Sequence, residues 1–394
     1  MVNSSMYALG AQPSAIREIF EFGNRLAAEI GRENVFDFSL GNPSVPAPDC
    51  VTETLVSLCR DGDPVALHGY TSAVGAPETR RLIAEDLVSR YGADVRPEDI
   101  YMTCGAAASL TVSIRALSCP EDEFIVIAPF FPEYRVFVEA TGARLVIVPA
   151  DLEAFQIDFA ALEKAFTKHT KALIINTPNN PSGARYSEET LSRLAELLRE
   201  KSAAFGAPIY LICDEPYREL VFDGKPDRSM TARYENTILC YSFSKSLSLP
   251  GERIGYIALC AGMPENRSVF TAVCGAGRAL GYVCAPSMMQ KMVPACLGQT
   301  ADVSIYRENR DLLYGALTEY GYSCVEPGGA FYLFVRSPEP DAKSFCERAK
   351  KYHLLLVPSD SFGVTGFVRI SYCVSTDMIR RSLPAFRMLM DSYC

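Results

Sequence analysis

The chain has 394 residues, 48% of them hydrophobic and 22% charged, with 38 basic against 47 acidic side chains and a net charge of −9. That length exceeds the size at which one hydrophobic core stops growing, so two domains are expected, and the balance is that of a soluble globular protein rather than a disordered one. The acidic charge argues against a polyanion such as DNA as the main partner, and no stretch approaches the roughly 18 consecutive apolar residues of a membrane span.

The N-terminus, Met1 to Phe20, has neither a basic start nor a continuous apolar run, so no signal peptide is expected and the protein is assigned to the cytoplasm. A first helix is expected from about Ser14 to Ile30. From about residue 77, helical and strand patterns alternate: a helix opened by Pro77, a strand at Asp99 to Thr103, a helix from about 106, and the apolar run Phe124 to Ala128. Further short apolar runs follow at Leu145 to Val148, Ala172 to Ile175, Ile209 to Cys213, Thr237 to Tyr241 and Ile254 to Leu259. Short uninterrupted apolar strands between helices predict an α/β domain with a mostly parallel sheet covered on both faces. After about residue 287 the pattern becomes α+β: a helix near 303–319, strands near 322–325 and 331–335, a helix at 341–351, two more strands and a final helix. The expected division is a large domain over 45–287 and a smaller, discontinuous α+β domain formed by 1–44 and 288–394, with the first helix packed on the C-terminal unit.

Fourteen cysteines run from Cys50 to Cys394, and the closest pair, Cys50 and Cys59, has no metal-knuckle spacing. They read as reduced, mostly buried small hydrophobes. His68, His169 and His353 are the only histidines, which leaves little material for a histidine-based metal site or triad.

The chemistry concentrates elsewhere. In Ser242-Phe243-Ser244-Lys245-Ser246, one amine sits among hydroxyls, and Arg253 follows eight positions later. Such a run suits a lysine that attacks an aldehyde cofactor whose phosphate is held nearby. The strand Ile209 to Cys213 ends in Asp214-Glu215-Pro216-Tyr217, at the edge of a buried sheet where ligands bind; Asp214 can pair with a pyridine nitrogen there, or simply cap the next element. Asn176-Thr177-Pro178-Asn179-Asn180-Pro181-Ser182-Gly183 is turn chemistry that also aims the Asn180 amide at a ligand. Thr103-Cys104-Gly105-Ala106-Ala107-Ala108-Ser109 joins a strand to a helix whose first N–H groups are placed for phosphate. Gly275-Ala276-Gly277-Arg278-Ala279-Leu280-Gly281 follows no clear strand and is one residue off a dinucleotide fingerprint, so a Rossmann site is excluded.

With these pieces in order, the chain resembles the fold-type I pyridoxal-phosphate enzymes, specifically the class I/II aminotransferases of aspartate aminotransferase type. The likeness runs from Ser39-Leu40-Gly41-Asn42-Pro43 to Phe367-Val368-Arg369-Ile370-Ser371. The resemblance implies pyridoxal 5'-phosphate as cofactor and Lys245 as its Schiff-base lysine and proton-transferring base. Asp214 then pairs with the ring nitrogen, Tyr217 and Asn180 bind the ring oxygen, and Phe131 stacks on the ring. Ser242, Arg253, Gly105, Ala106 and Ala107 hold the phosphate, with Tyr70 reaching the phosphate of a neighbouring subunit. Arg369 takes the substrate α-carboxylate, and Gly41 approaches it as the small domain closes. Arg278, in a glycine-rich loop, and Arg17, on the first helix, are candidates for a distal carboxylate. Ala107 stands where some relatives that handle aspartate carry a lysine.

The implied reaction is amino transfer from an α-amino acid, aspartate first, to a 2-oxo acid such as 2-oxoglutarate, by a homodimer with shared sites. Alanine or aromatic amino acids are alternative donors. A carbon–sulfur lyase on the same scaffold and a cofactor-binding sensor without turnover are the rival readings.

Overall fold

The computed structural model describes residues 2–11 and 15–393. Its centre is a seven-stranded sheet whose strands, in chain order, are β1 (Ile100–Thr103), β2 (Glu123–Ala128), β3 (Arg144–Pro149), β4 (Thr170–Asn176), β5 (Tyr210–Asp214), β6 (Thr237–Ser242) and β7 (Gly255–Leu259). They lie side by side in the order β1-β7-β6-β5-β4-β2-β3. Neighbours from β3 through β6 are parallel, whereas β7 is antiparallel to both β6 and β1. The mostly parallel sheet expected from the apolar runs is present, with one reversed strand. The reversal has a local cause: the link from Ser242 to Gly255 holds a helix of only 4 residues, too short for the crossover that a parallel neighbour needs.

Successive strand residues feed opposite faces. Along β2, Ile125 and Ile127 join Leu173 and Leu211 in one core, while Phe124 and Val126 join Ile174 and Ile212 in the other. Burial on both faces is why these strands read as unbroken apolar runs. The covering helices start and stop on local signals. Helix Pro77–Tyr91 opens on a proline whose missing N–H has no partner there anyway, and it stops at Gly92 with φ 58. Helix Glu188–Phe205 opens where the Ser187 side chain accepts from the Thr190 N–H and closes at left-handed Gly206.

Beyond residue 300, Val357–Pro358, Phe367–Ser371, Tyr332–Arg336 and Ser323–Cys324 form an antiparallel sheet in that order. Helices Val303–Glu319, Ala342–Lys350 and Thr376–Asp391 bury Leu313, Phe345 and Phe386 against it. Three strands rather than two follow residue 351. Leu354–Leu355 pairs with Phe36–Asp37, and the chain changes partner at Leu356 before Val357 pairs with Arg369. The helix expected to be first spans Ala15–Ile30 and follows a shorter one at Ser4–Ala11; the expected start at Ser14 lies outside the described residues. Its Ile19 packs with Leu355, Val357 and Phe362.

Two segments sit differently from the sequence expectation. Helix Ser287–Cys296, on the C-terminal side of the expected boundary at 287, buries Met289, Met292 and Val293 in the large-sheet core with Ile83 and Leu87. The glycine-rich segment carrying Arg278 is no loop; it is the end of helix Asn266–Ala279. A Cβ on Gly277 would press into the Tyr101 ring, so that glycine permits close helix-to-sheet approach rather than a turn.

Candidate active site

The C-terminal ends of β4, β5 and β6 bring Asn176, Asp214 and Ser242 to one edge of the sheet. A cavity of about 320 Å³ opens there, lined by Ala106, Ala107, Phe131, Asn180, Asp214, Tyr217, Ser242, Lys245, Arg253, Arg369 and Gly41 among others. Residues from 41 to 369 thus converge on one volume, as open α/β sheets favour at this edge.

One end of the cavity is an anion cradle. Gly105 has φ 92 and precedes helix Ala106–Leu117, so the free N–H groups of the first turn face the cavity end. A Cβ on Gly105 would lie 2.9 Å from Arg253 Nη2, which places the guanidinium against the helix start. Arg253, itself at φ 53, is steadied by Nη1 donating to the Pro250 carbonyl at 3.0 Å. Ser242 Oγ accepts from the Ser244 N–H at 3.1 Å and lies 2.6 Å from Ser244 Oγ.

The middle is acidic and buried. Tyr134 donates its hydroxyl to Asp214 Oδ2 at 2.6 Å, while Asp214 Oδ1 is buried with no partner. Burial pushes the Asp214 carboxyl up to about 7; the Tyr134 hydrogen bond works against this, and the nearby Glu215 charge adds to it. Asn176 braces the floor: its Nδ2 donates to the Asp214 carbonyl at 2.7 Å and its Oδ1 accepts from the Asn180 N–H at 2.6 Å. The Tyr217 hydroxyl is 3.1 Å from that of Tyr332.

Lys245 lies on the short helix Phe243–Ser246 and donates from Nζ to the Gly41 carbonyl at 2.6 Å. Burial lowers its ammonium to about 8, with the Arg369 and Arg253 charges acting in the same direction and Cys373 opposing. The shift enlarges the neutral fraction near neutral pH, and the neutral form is what a nucleophilic amine requires. Arg369, buried in Phe367–Ser371, donates from Nη1 to Asn180 Oδ1 at 3.1 Å and from Nη2 to the Ser39 carbonyl at 2.6 Å. Its Nε is buried without a partner, so one donor is free for a ligand oxygen.

Three expected residues stay outside this cavity. Tyr70 is 92% exposed, Arg278 is exposed in the last turn of its helix, and Arg17 is exposed and lies 3.4 Å from Glu21. Several residues at the cavity carried no role in the sequence reading. Asn176 falls inside a quoted motif and Tyr134 lies three residues after Phe131, yet nothing local marks their partners. Tyr332 comes from a strand of the C-terminal sheet, and Ile16 and Leu110 add apolar lining.

The sequence model described as aminotransferase class I and II matches residues 33–386. The chain belongs to that family. It is 30% identical over 389 residues to the aspartate/prephenate aminotransferase of Thermus thermophilus, covering 93% of this chain and 94% of that protein. It is 28% identical over 384 residues to aromatic-amino-acid aminotransferase 2 of Thermococcus litoralis, with 94% of each covered. Among solved structures, an amino transferase from Eubacterium rectale superposes with a TM-score of 0.98 at 56% identity, over 100% of this chain and 99% of that one.

The protein is therefore a pyridoxal-phosphate-dependent transferase, and its residues fit the cofactor. The partnerless Asp214 Oδ1 suits a protonated ring nitrogen, and the helix start with Arg253, Ser242 and Ser244 suits a phosphate. The depressed Lys245 amine suits an aldehyde.

Proposed function

We propose that this aminotransferase moves the amino group of an α-amino acid, aspartate first, to a 2-oxo acid such as 2-oxoglutarate. The observation that carries the reading is the company of three groups in one cavity: the Lys245 amine, lowered by burial, and the partnerless Asp214 Oδ1 and Arg369 Nε. Pyridoxal phosphate, when bound, supplies a sink for the electron pair left as the substrate loses its α-proton. Lys245 Nζ takes that proton and returns it. Asp214 keeps the ring nitrogen protonated, Tyr217 and Asn180 hold the ring oxygen, and Phe131 covers the ring. Arg369 holds the α-carboxylate two-pronged, turning the Cα–H bond toward Lys245.

The choice of donor turns on the groups that line the cavity. Lys245, Arg253 and Arg369 are the cations lining the cavity, and each already has a task. A distal carboxylate therefore calls on Arg278 from a second subunit, and aspartate leads because several relatives are named for it. Ile16 and Leu110 at the cavity favour the second reading, an alanine or aromatic donor. A homodimer is part of the proposal. Val65, Tyr70 and Val283 are 81%, 92% and 62% exposed, and Gln290 ties the Thr71 hydroxyl to the Ala285 carbonyl between them. The setting is cytoplasmic in this reading; among the described residues no helix is long and apolar enough to cross a membrane.

A half-reaction screen tests the proposal. Cofactor-loaded enzyme mixed with single amino acids should lose its visible absorbance fastest with aspartate, releasing oxaloacetate. No discharge by any amino acid would sink amino transfer, and ammonia with pyruvate from cystathionine would favour elimination. Arg369→Lys is expected to raise KM for the amino acid by about 10- to 100-fold with a smaller change in kcat, because a point charge replaces a planar fork. Steady-state kinetics with wild-type KM would remove Arg369 from carboxylate binding.

A further inference from the structure

Beside the cavity lies a buried ionic network that the reaction itself does not use. The Arg218 guanidinium is held between the rings of Tyr91 and Tyr241, 4.9 and 4.5 Å from their centroids. Its Nε donates to Glu215 Oε2 at 2.7 Å, Nη2 lies 2.6 Å from the same oxygen, and Nη1 donates to the Tyr256 hydroxyl at 3.0 Å. Glu219 accepts from the Tyr91 and Tyr241 hydroxyls at 3.0 and 2.9 Å. The Tyr241 hydroxyl also lies 2.8 Å from Ser246 Oγ.

Stability alone is a weak reason for such a cluster, since well-packed apolar side chains often serve a buried site equally well. What distinguishes it is where its ends attach. Glu215 follows Asp214, Ser246 follows Lys245, and Tyr256 follows Gly255, whose Cβ, were there one, would lie 3.0 Å from Gly105 Cα. Two exits are one residue from the ring acid and the amine, and the third reaches the phosphate cradle through Gly255. A buried network held by several hydrogen bonds permits few arrangements and resists sliding, which an apolar contact does not.

We propose that Arg218, with Glu215, Glu219 and Tyr241, is a positioning device that fixes the separation of the Asp214 carboxylate, the Lys245 amine and the cradle at Gly105. This rests on the reading of those three as the cofactor's holders. Arg218 touches neither substrate nor cofactor; it acts through the backbone of its neighbours. Displacing reacting groups by about 1 Å costs on the order of 100-fold in rate, so the network's effect falls on kcat rather than on substrate binding.

Two variants of the full-length, cofactor-loaded enzyme test this. R218M removes the charge, and Y241F removes only the hydroxyl that joins Glu219 to Ser246 while keeping the ring. The readouts are the visible circular dichroism of the bound cofactor, the half-reaction kcat and KM with one amino acid, and the melting temperature. Y241F is expected to lower kcat about 10-fold and R218M about 100-fold, with KM held within about twofold and the visible dichroic band diminished in both. Variants that melt lower yet keep kcat and the dichroic band would show a merely structural cluster and overturn the proposal. Should R218M fail to fold, Y241F alone decides. A wild-type enzyme whose visible band does not depend on Lys245 would instead defeat the reading of Lys245 and leave that failure distinguishable from this one.

Discussion

Lys245→Ala is expected to lower the half-reaction rate by at least about 10³-fold, because it removes both the nucleophile and the base that carries the α-proton. The loss should fall on kcat, since Arg369 and the phosphate cradle remain to bind substrate and cofactor. Wild-type protein carries a matching pH signature. The Lys245 ammonium is lowered by burial to about 8, so its neutral, reactive form grows as pH rises through that value. Cofactor-free enzyme should combine with the aldehyde faster as pH increases, half-maximally near pH 8 and levelling off about one unit above, and the variant should show no such rise. Rapid mixing followed by absorbance measures both. A variant that transfers amino groups at near wild-type rate would remove Lys245 from the centre of the account.

Asp214→Asn is expected to cost about 10²- to 10³-fold in kcat, the usual loss when one preorganised electrostatic partner is removed. The amide keeps the shape but cannot hold a proton on the ring nitrogen. The same substitution should act oppositely on the cofactor-free fold. Asp214 is pushed up to about 7, so between the ordinary carboxylate range and that pH the folded protein holds a proton that the unfolded chain has released. Stability contributed by this group therefore falls as pH rises across that window and stays lowest above it. Cofactor-free D214N should melt higher than wild type at pH 8, with the gap closing as pH falls below the carboxylate range. A D214N protein that melts lower than wild type at pH 8, or that keeps its kcat, would contradict the role given to Asp214. Activity and stability trading places at one carboxylate is the behaviour of a group kept for function.

Much of this site is legible because its chemistry is local in sequence. The hydroxyl-flanked lysine, the aspartate at a strand end and the small-residue helix start each combine a residue type with a backbone context, and apolar runs locate the strands. What escapes is set by contacts distant in sequence. Tyr134 meets Asp214 across 80 positions, and the Tyr332 hydroxyl meets Tyr217 across 115. Neither partner leaves a local trace. The reversal of β7 depends on link length rather than on its own residues, which are as apolar as those of a parallel strand. Gly277 suggests a loop because the same residue serves turns and close packing, and only the Tyr101 ring beside it separates the two. Tyr70, Arg278 and Arg17 lie away from the cavity of the single chain, so their proposed roles have no local geometry to mark them.

The Arg369 bond to the Ser39 carbonyl spans 330 positions and ties the beginning of the chain to its end. Ribosomal synthesis proceeds from one to the other, and domains fold as they emerge. The β1–β7 sheet, with Lys245, Asp214 and the phosphate cradle, is complete while Arg369 is still unmade. A nascent chain therefore carries the residues proposed to hold the cofactor before it carries the arginine proposed to grip an amino acid. A chain that stops between residues 300 and 368 keeps Lys245, Asp214 and Arg253 and lacks Arg369, so the order of synthesis separates the two halves of the proposed chemistry.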